Sequence, residues 1–174
     1  MSYANILAML HEKEKNRLHD CEVFREMEEE DRSAFFERVE RDAAEGRYTL
    51  LGGMALMEVE EFREHVNETL GFDPPADFLE FLRVADGLVL DRVTIFGSDL
   101  ASSFSPGFID QNRRNPDLLR QGVACFGVAS TGVLLWARSS EEFRLVHRSD
   151  GAVQKRFGTF SEMLDYALDL EMNG

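Results

Sequence analysis

The stretch VACFGVASTGVLLWARSSEEFRLVHRSDGAVQKRF, residues 123–157, decides the fold. It breaks into four short runs rich in β-branched and aromatic residues: Val123 to Val128, Val133 to Ala137, Phe143 to His147 and Val153 to Phe157. Such runs fit a pleated, half-buried surface. Ser149-Asp150-Gly151 separates the last two, and Asp-Gly readily takes the positive φ values of a tight hairpin. Upstream, Leu88 to Leu90 and Val93 to Phe96 read as two more short strands. Consecutive strands joined by short turns predict an antiparallel sheet of about five to six strands.

Helical spacing surrounds this sheet. Val59, Phe62, Val66 and Leu70 mark a helix from about Glu58 to Leu70, closed by Gly71. Asp73-Pro74-Pro75 then starts another: Asp73 can cap it, and prolines are tolerated in a first turn, where amide donors are unpaired anyway. Its buried face is Phe78, Phe81, Leu82 and Ala85, with Asp86-Gly87 at its end. Thr159 and Glu162 form a T-x-x-E capping box, each side chain serving the other residue's amide. Phe160, Met163, Leu164, Ala167 and Leu168 follow as an apolar face. The stretch from Gly97 to Pro116 reads as loop with a helical turn. The whole is an α+β layout.

The first 46 residues read as a helical extension before an α+β domain at 47–174. Tyr3, Ile6, Leu7 and Leu10 share a face; Leu18, Cys21, Phe24 and Met27 continue a stripe on a separate or kinked helix; Phe35, Phe36, Val39 and Ala43 form a third, ended by Gly46. These stripes must pack on the rest of the chain or, as a homodimer, on a second copy.

Composition bounds the function. The chain has 174 residues and a formal net charge of −14, which argues against direct nucleic-acid binding, since that requires cations to displace counterions from phosphates. Residues 1–110 hold 25 acids and 11 bases, whereas residues 111–157 hold 4 acids and 8 bases, so an acidic body carries a mildly basic segment. No apolar run approaches the roughly 20 residues that cross a bilayer, and the N-terminus lacks the pattern of a signal peptide. The two cysteines, Cys21 and Cys125, form no C-x-x-C pair and read as reduced thiols. A cytoplasmic location is the expectation.

No catalytic or phosphate-loop signature occurs. His11-Glu12 begins like a zinc-protease helix, but position 15 is Lys15. His19-Asp20-Cys21 offers ligand types without a second cluster, so no metal and no cofactor is expected. Ser130 or Thr131 with His147 and Asp150 is the one constellation from which a hydrolase can be assembled; a sheet-surface histidine beside turn residues explains it equally well. His65 follows Glu61 as a helix-surface pair. Glu60-Glu61, like Asp91 with Asp99, is a carboxylate pair of the kind that 33 acids produce by chance. Arg113-Arg114 and Arg120 read as solvated loop charge.

What remains is binding. The candidate contact residues for a protein partner are the acidic run Glu28-Glu29-Glu30-Asp31, the carboxylates Asp86, Asp91 and Asp99, and Trp136. The single tryptophan is either core or, at a sheet edge, an anchor of the kind enriched in binding hot spots.

From Glu60 to Gly87 the sequence resembles the SUKH superfamily, which includes fungal cell-wall-assembly regulators and many bacterial immunity proteins. The matching residues are Leu70-Gly71, Pro75, Phe78, Phe81-Leu82 and Asp86-Gly87. Downstream, Ile95-Phe96-Gly97, Phe126-Gly127 with Gly132-Val133-Leu134-Leu135, and Thr159-Phe160-Ser161-Glu162-Met163-Leu164 also look like the family's pattern, which covers about residues 57–172. Asn67, Pro74 and Asp86 depart from it, standing where the family usually has Glu, Leu and Asn. The resemblance implies a non-catalytic binding scaffold: in bacteria a protein that neutralises a toxin, a basic nuclease domain being one such partner, and in fungi a regulatory interaction module.

Overall fold

Four of the six strands come from residues 123–157. In the computed structural model, which describes residues 3–99 and 105–173, the strands are β1 (Leu88–Val89), β2 (Val93–Ile95), β3 (Val123–Ala129), β4 (Gly132–Ala137), β5 (Glu142–Val146) and β6 (Val153–Phe157). They pair antiparallel in sequence order, a meander. The α+β architecture is as the sequence predicts. The 147–152 hairpin closes as expected, His147 N–H donating to the Ala152 carbonyl with Gly151 at φ +71°.

Among the described residues the helices are α1 (Tyr3–His19), α2 (Glu22–Glu26), α3 (Glu29–Ala44), α4 (Leu56–Leu70), α5 (Ala76–Val84), α6 (Phe108–Arg113), α7 (Pro116–Arg120) and α8 (Phe160–Asn173), with a 3-10 turn at Thr49–Leu51. They pack one face of the sheet through aromatic rings. Phe78 of α5, Phe108 of α6 and Phe160 of α8 meet Phe126 of β3 at ring distances of 4.8, 4.9 and 5.7 Å. Trp136 and Phe143 extend this layer, at 6.2 and 5.6 Å from Phe126.

A β-bulge makes that arrangement possible. The β3–β4 register slips between Cys125 and Gly127, so Phe126 is the extra residue and both Phe126 and Gly127 turn toward the core face. Gly127 tolerates no side chain, because a Cβ there would lie 2.2 Å from the Thr94 carbonyl oxygen. Beyond the bulge, β2 no longer accompanies β3. Asn112 of α6 takes its place: its amide donates to the Cys125 carbonyl at 2.8 Å, and its side-chain oxygen accepts from the Cys125 N–H at 2.7 Å. A buried side chain thus does the work of a neighbouring strand.

Three local expectations need correction. Asp73 does not cap α5; Pro75 occupies that position without a side-chain hydrogen bond, and Asp73 instead accepts from Asn67 at 3.2 Å and pairs with Arg63 at 3.5 Å. The box at α8 is not reciprocal. Thr159 Oγ1 accepts the Glu162 N–H, but the Glu162 carboxylate takes the Gly158 N–H one residue earlier. The 97–116 stretch holds more than a turn: α6 lies within it and buries Phe108, Ile109 and Asn112.

The N-terminal helices dock on the domain. Leu7 and Leu10 join the main core, and α1 packs on α8 and on the Thr49–Leu51 turn. The side chains of Tyr3 and Ile6, named in the same stripe, lie outside the described residues. Lys15 ties α1 to α3, bonding Glu12 at 2.8 Å and Glu40 at 3.3 Å. Phe24, Phe35 and Phe36 form a smaller cluster between α2 and α3.

Two outcomes test this packing. Asn112→Ala leaves a buried N–H and C=O of β3 without partners, a loss of about 2–3 kcal/mol, read as a lower urea midpoint. His11 is 1% exposed beside the Tyr48 ring, its Nε2 has no hydrogen-bond partner among the described residues, and burial lowers its pKa from the usual 6.5. The unfolded chain therefore binds this proton more readily, so stability is lost as pH falls below about 6.5. Replacing His11 with Phe flattens the pH dependence of the urea midpoint between pH 7.5 and 5; an unchanged slope would contradict this account.

Candidate functional site

Backbone contact fixes the start of α4. Met54 N–H donates to the Leu82 carbonyl at 2.8 Å, and Gly52 bridges Ala85. Gly53 lies so close to the end of α5 that a Cβ would sit 2.1 Å from the Arg83 carbonyl oxygen. The Glu58 carboxylate accepts the Ala55 N–H at 2.7 Å and closes the first turn. The helix is therefore anchored at its N-terminus as well as along its buried stripe, Val59, Phe62 and Val66.

Its outer face has an unusual composition. Leu56 and Met57 are 59% and 75% exposed, an adjacent apolar pair at the surface. At about 100° per residue, Met57 stands roughly 160° around the helix from Val59. It shares that face with Glu60, Glu61, Glu64 and Glu68, at i+3, i+4, i+7 and i+11. All four glutamates are exposed, and Arg63 pairs with Glu60 at 3.1 Å. An apolar knob thus stands at the head of an acidic stripe.

Clefts lie on both sides of this turn. One, of about 530 Å³, is bordered by Tyr48, Met54, Leu56, Glu80 and Arg83. The other, of about 360 Å³, has Met54, Phe62 and Ile109 as its apolar lining and Glu58, Glu61, His65 and Asp99 around them. Met54 separates the two. The pair identified from sequence spacing, Glu61 and His65, stands at the second cleft.

The structure distributes the other predicted contact residues differently. Glu28 precedes α3, and Glu29, Glu30 and Asp31 fill its first turn, all exposed, where their charge favours the positive end of the helix dipole. Asp86 and Asp99 are engaged within the chain. Both Asp86 oxygens accept from Ser98, from its N–H at 2.5 Å and its hydroxyl at 2.7 Å. Both Asp99 oxygens accept backbone N–H groups of α6, from Ile109 and Asp110 at 2.9 Å. These carboxylates fasten a loop. Asp91 sits exposed in the β1–β2 turn, where Glu171 accepts its N–H and that of Arg92. Trp136 is core: 8% exposed, stacked on Phe143 and 5.9 Å from Phe72, so it is no anchor.

The reactive-group candidates also have local roles. His147 Nδ1 faces both Ser149 Oγ at 2.7 Å and Asp150 at 3.6 Å. A relay needs the hydroxyl and the carboxylate on opposite ring nitrogens, so Ser149, His147 and Asp150 do not form one, and among the described residues neither the Ser130 nor the Thr131 hydroxyl is hydrogen-bonded to the ring. The His19 ring stacks on Phe36 at 3.8 Å, and among the described residues no group of three or more His, Cys, Asp or Glu is placed to hold a metal ion. Burial pushes the Cys125 thiol up to about 11, which keeps it protonated at neutral pH. Burial likewise raises Asp165, whereas the Arg144 and Arg156 side chains hold Glu142 below the usual carboxylate range. Arg114 and Arg120 pair with Asp110 and Asp117 on the surface, and Arg113 closes α6. Among the described residues no helix is long and apolar enough to cross a membrane.

Sequence reading missed Leu56 and Met57, because it began the helix at Glu58. The signal was present, since Met57 falls opposite the buried stripe. Comparison with family models, with curated proteins and with solved structures gives no match.

Proposed function

We propose that this chain is a non-catalytic protein-binding domain that neutralises a basic protein toxin by direct contact in the cytoplasm. The carrying observation is Met57, 75% exposed at the head of the Glu60, Glu61, Glu64 and Glu68 stripe on a helix fixed at both its base and its first turn. Interfaces combine an apolar centre with a polar rim, and the centre supplies most of the energy. An acidic rim speeds association with a basic surface and disfavours acidic competitors. Nucleases are one fitting class, since they must present positive charge to phosphates. The clefts on either side of Met54 give room for side chains of the partner.

The resemblance of residues 57–172 to the SUKH superfamily supports the same reading, because its bacterial members include immunity proteins. A regulatory interaction module is the alternative role for the same surface. It is favoured where no toxin gene lies beside the gene for this chain.

Co-expression with the toxin encoded beside this gene is the test. Growth is rescued, and a complex forms that weakens as salt rises, since exposed charges are screened beyond about 8–10 Å. Met57→Lys, on an exposed position that leaves the fold intact, weakens the complex at least about tenfold, the equivalent of about 1.4 kcal/mol. Failure of rescue together with no complex at low salt would defeat the proposal.

A further inference from the structure

The cleft beside α4 and α6 has an apolar floor made by Met54, Phe62 and Ile109, all buried. Around that floor stand the carboxylates of Glu58, Glu61 and Asp99, with His65 and Ser98; among the described residues no lysine or arginine borders it. At about 360 Å³ it falls within the range of small-ligand pockets, about 300–1,000 Å³.

The charge around the floor is not offset locally. Glu58 accepts the Ala55 N–H, and Asp99 accepts the N–H groups of Ile109 and Asp110. A backbone N–H carries no net charge, so these bonds orient the carboxylates without cancelling them. The neighbouring cation, Arg63, is turned to Glu60 and Asp73 at 3.1 and 3.5 Å, and Glu61 has no ion pair among the described residues. The cleft on the other side of Met54 has no such excess: Arg83 pairs there with Glu80 at 3.4 Å, and Arg47 is bonded to Asp42 and Glu45.

An occupant of the α4–α6 cleft must cover an apolar floor and bring a positive charge to its rim. A long cationic side chain does both, its aliphatic stem lying on Phe62 and Met54 and its head among the carboxylates. Arginine suits the site better than lysine. Carboxylates placed on several sides call for donors in several directions, and a guanidinium has five in a planar fork against three on an ammonium. Its weaker hydration lowers the cost of leaving water, and arginine is enriched among the residues that dominate interfaces.

We infer that this cleft is a socket for an arginine side chain of the partner protein, seated beside the Met57 contact. The inference rests on the reading of α4 as the partner-binding helix and deepens it, and the socket can be tested without the partner.

The full chain, ¹⁵N-labelled, is titrated with N-acetyl-arginine methylamide, with its lysine counterpart, and with its citrulline counterpart, the neutral isostere of arginine. The arginine compound shifts the amides of Glu61, Phe62, His65 and Ile109. It binds at least about tenfold more tightly than the citrulline compound, and more tightly than the lysine compound. Glu61→Gln, a near-isosteric change at an exposed position, weakens arginine binding about threefold or more. Glu68→Gln, two turns along the same acidic stripe, leaves it unchanged. Equal binding of arginine and citrulline, lysine binding as tight as arginine, equal losses from the two glutamate substitutions, or no shifts at the cleft would each overturn the inference. The two readings fail separately. Arginine binding without any toxin complex sinks the toxin reading alone, and a toxin complex whose affinity Glu61→Gln leaves unchanged sinks the socket alone.

Discussion

The extra residue in β3 is the constraint on which the rest of the structure depends. Without the bulge, strand alternation would set Phe126 and Gly127 on opposite faces. With it, Phe126 reaches Phe78, Phe108 and Phe160 on three different helices. Backbone bonding to the β2 side runs as far as the bulge, where Phe96 N–H donates to the Phe126 carbonyl, and next to it the polar side chain of Asn112 is buried against the backbone of Cys125. One local insertion thus dictates where the helical layer sits and which side chain completes the sheet.

That layer then sets the geometry of α4. Its stripe joins the core through Phe62, whose ring lies 6.4 Å from Phe78 and 6.2 Å from Phe108. Its first turn is held by the close passage of Gly53 along α5. A face held this way presents Met57 and four glutamates on a backbone with little conformational freedom left to lose on binding, which favours affinity. The sheet's far side carries an apolar row, Val89, Val128, Val133, Val146 and Val153.

Much of the fold was legible in the residues. The meander follows from short β-branched runs and the Asp150-Gly151 turn, because those signals are local. α6 was hidden because six residues are too few to show a helical period, and because its N-terminus is bonded by Asp99 from across a loop. The roles of Asp86 and Asp99 are contacts between residues about ten positions apart, which no pattern of residue types announces. Trp136 was ambiguous for a similar reason: strand position gives a face, and only the packing of Phe72 and Phe143 says whether that face is closed. Met57 could have been found by extending the helical wheel by two residues.

The central claim is that partner contact is made by the outer face of α4. Hydrogen–deuterium exchange on the full chain, alone and mixed with a basic toxin domain of the class proposed as its partner, measures this directly. The account predicts added protection over Leu56–Leu70 and the segment from Tyr48 to Ala55 that borders its first turn. Protection confined to the N-terminal helices or to the sheet, with α4 unchanged, would contradict it.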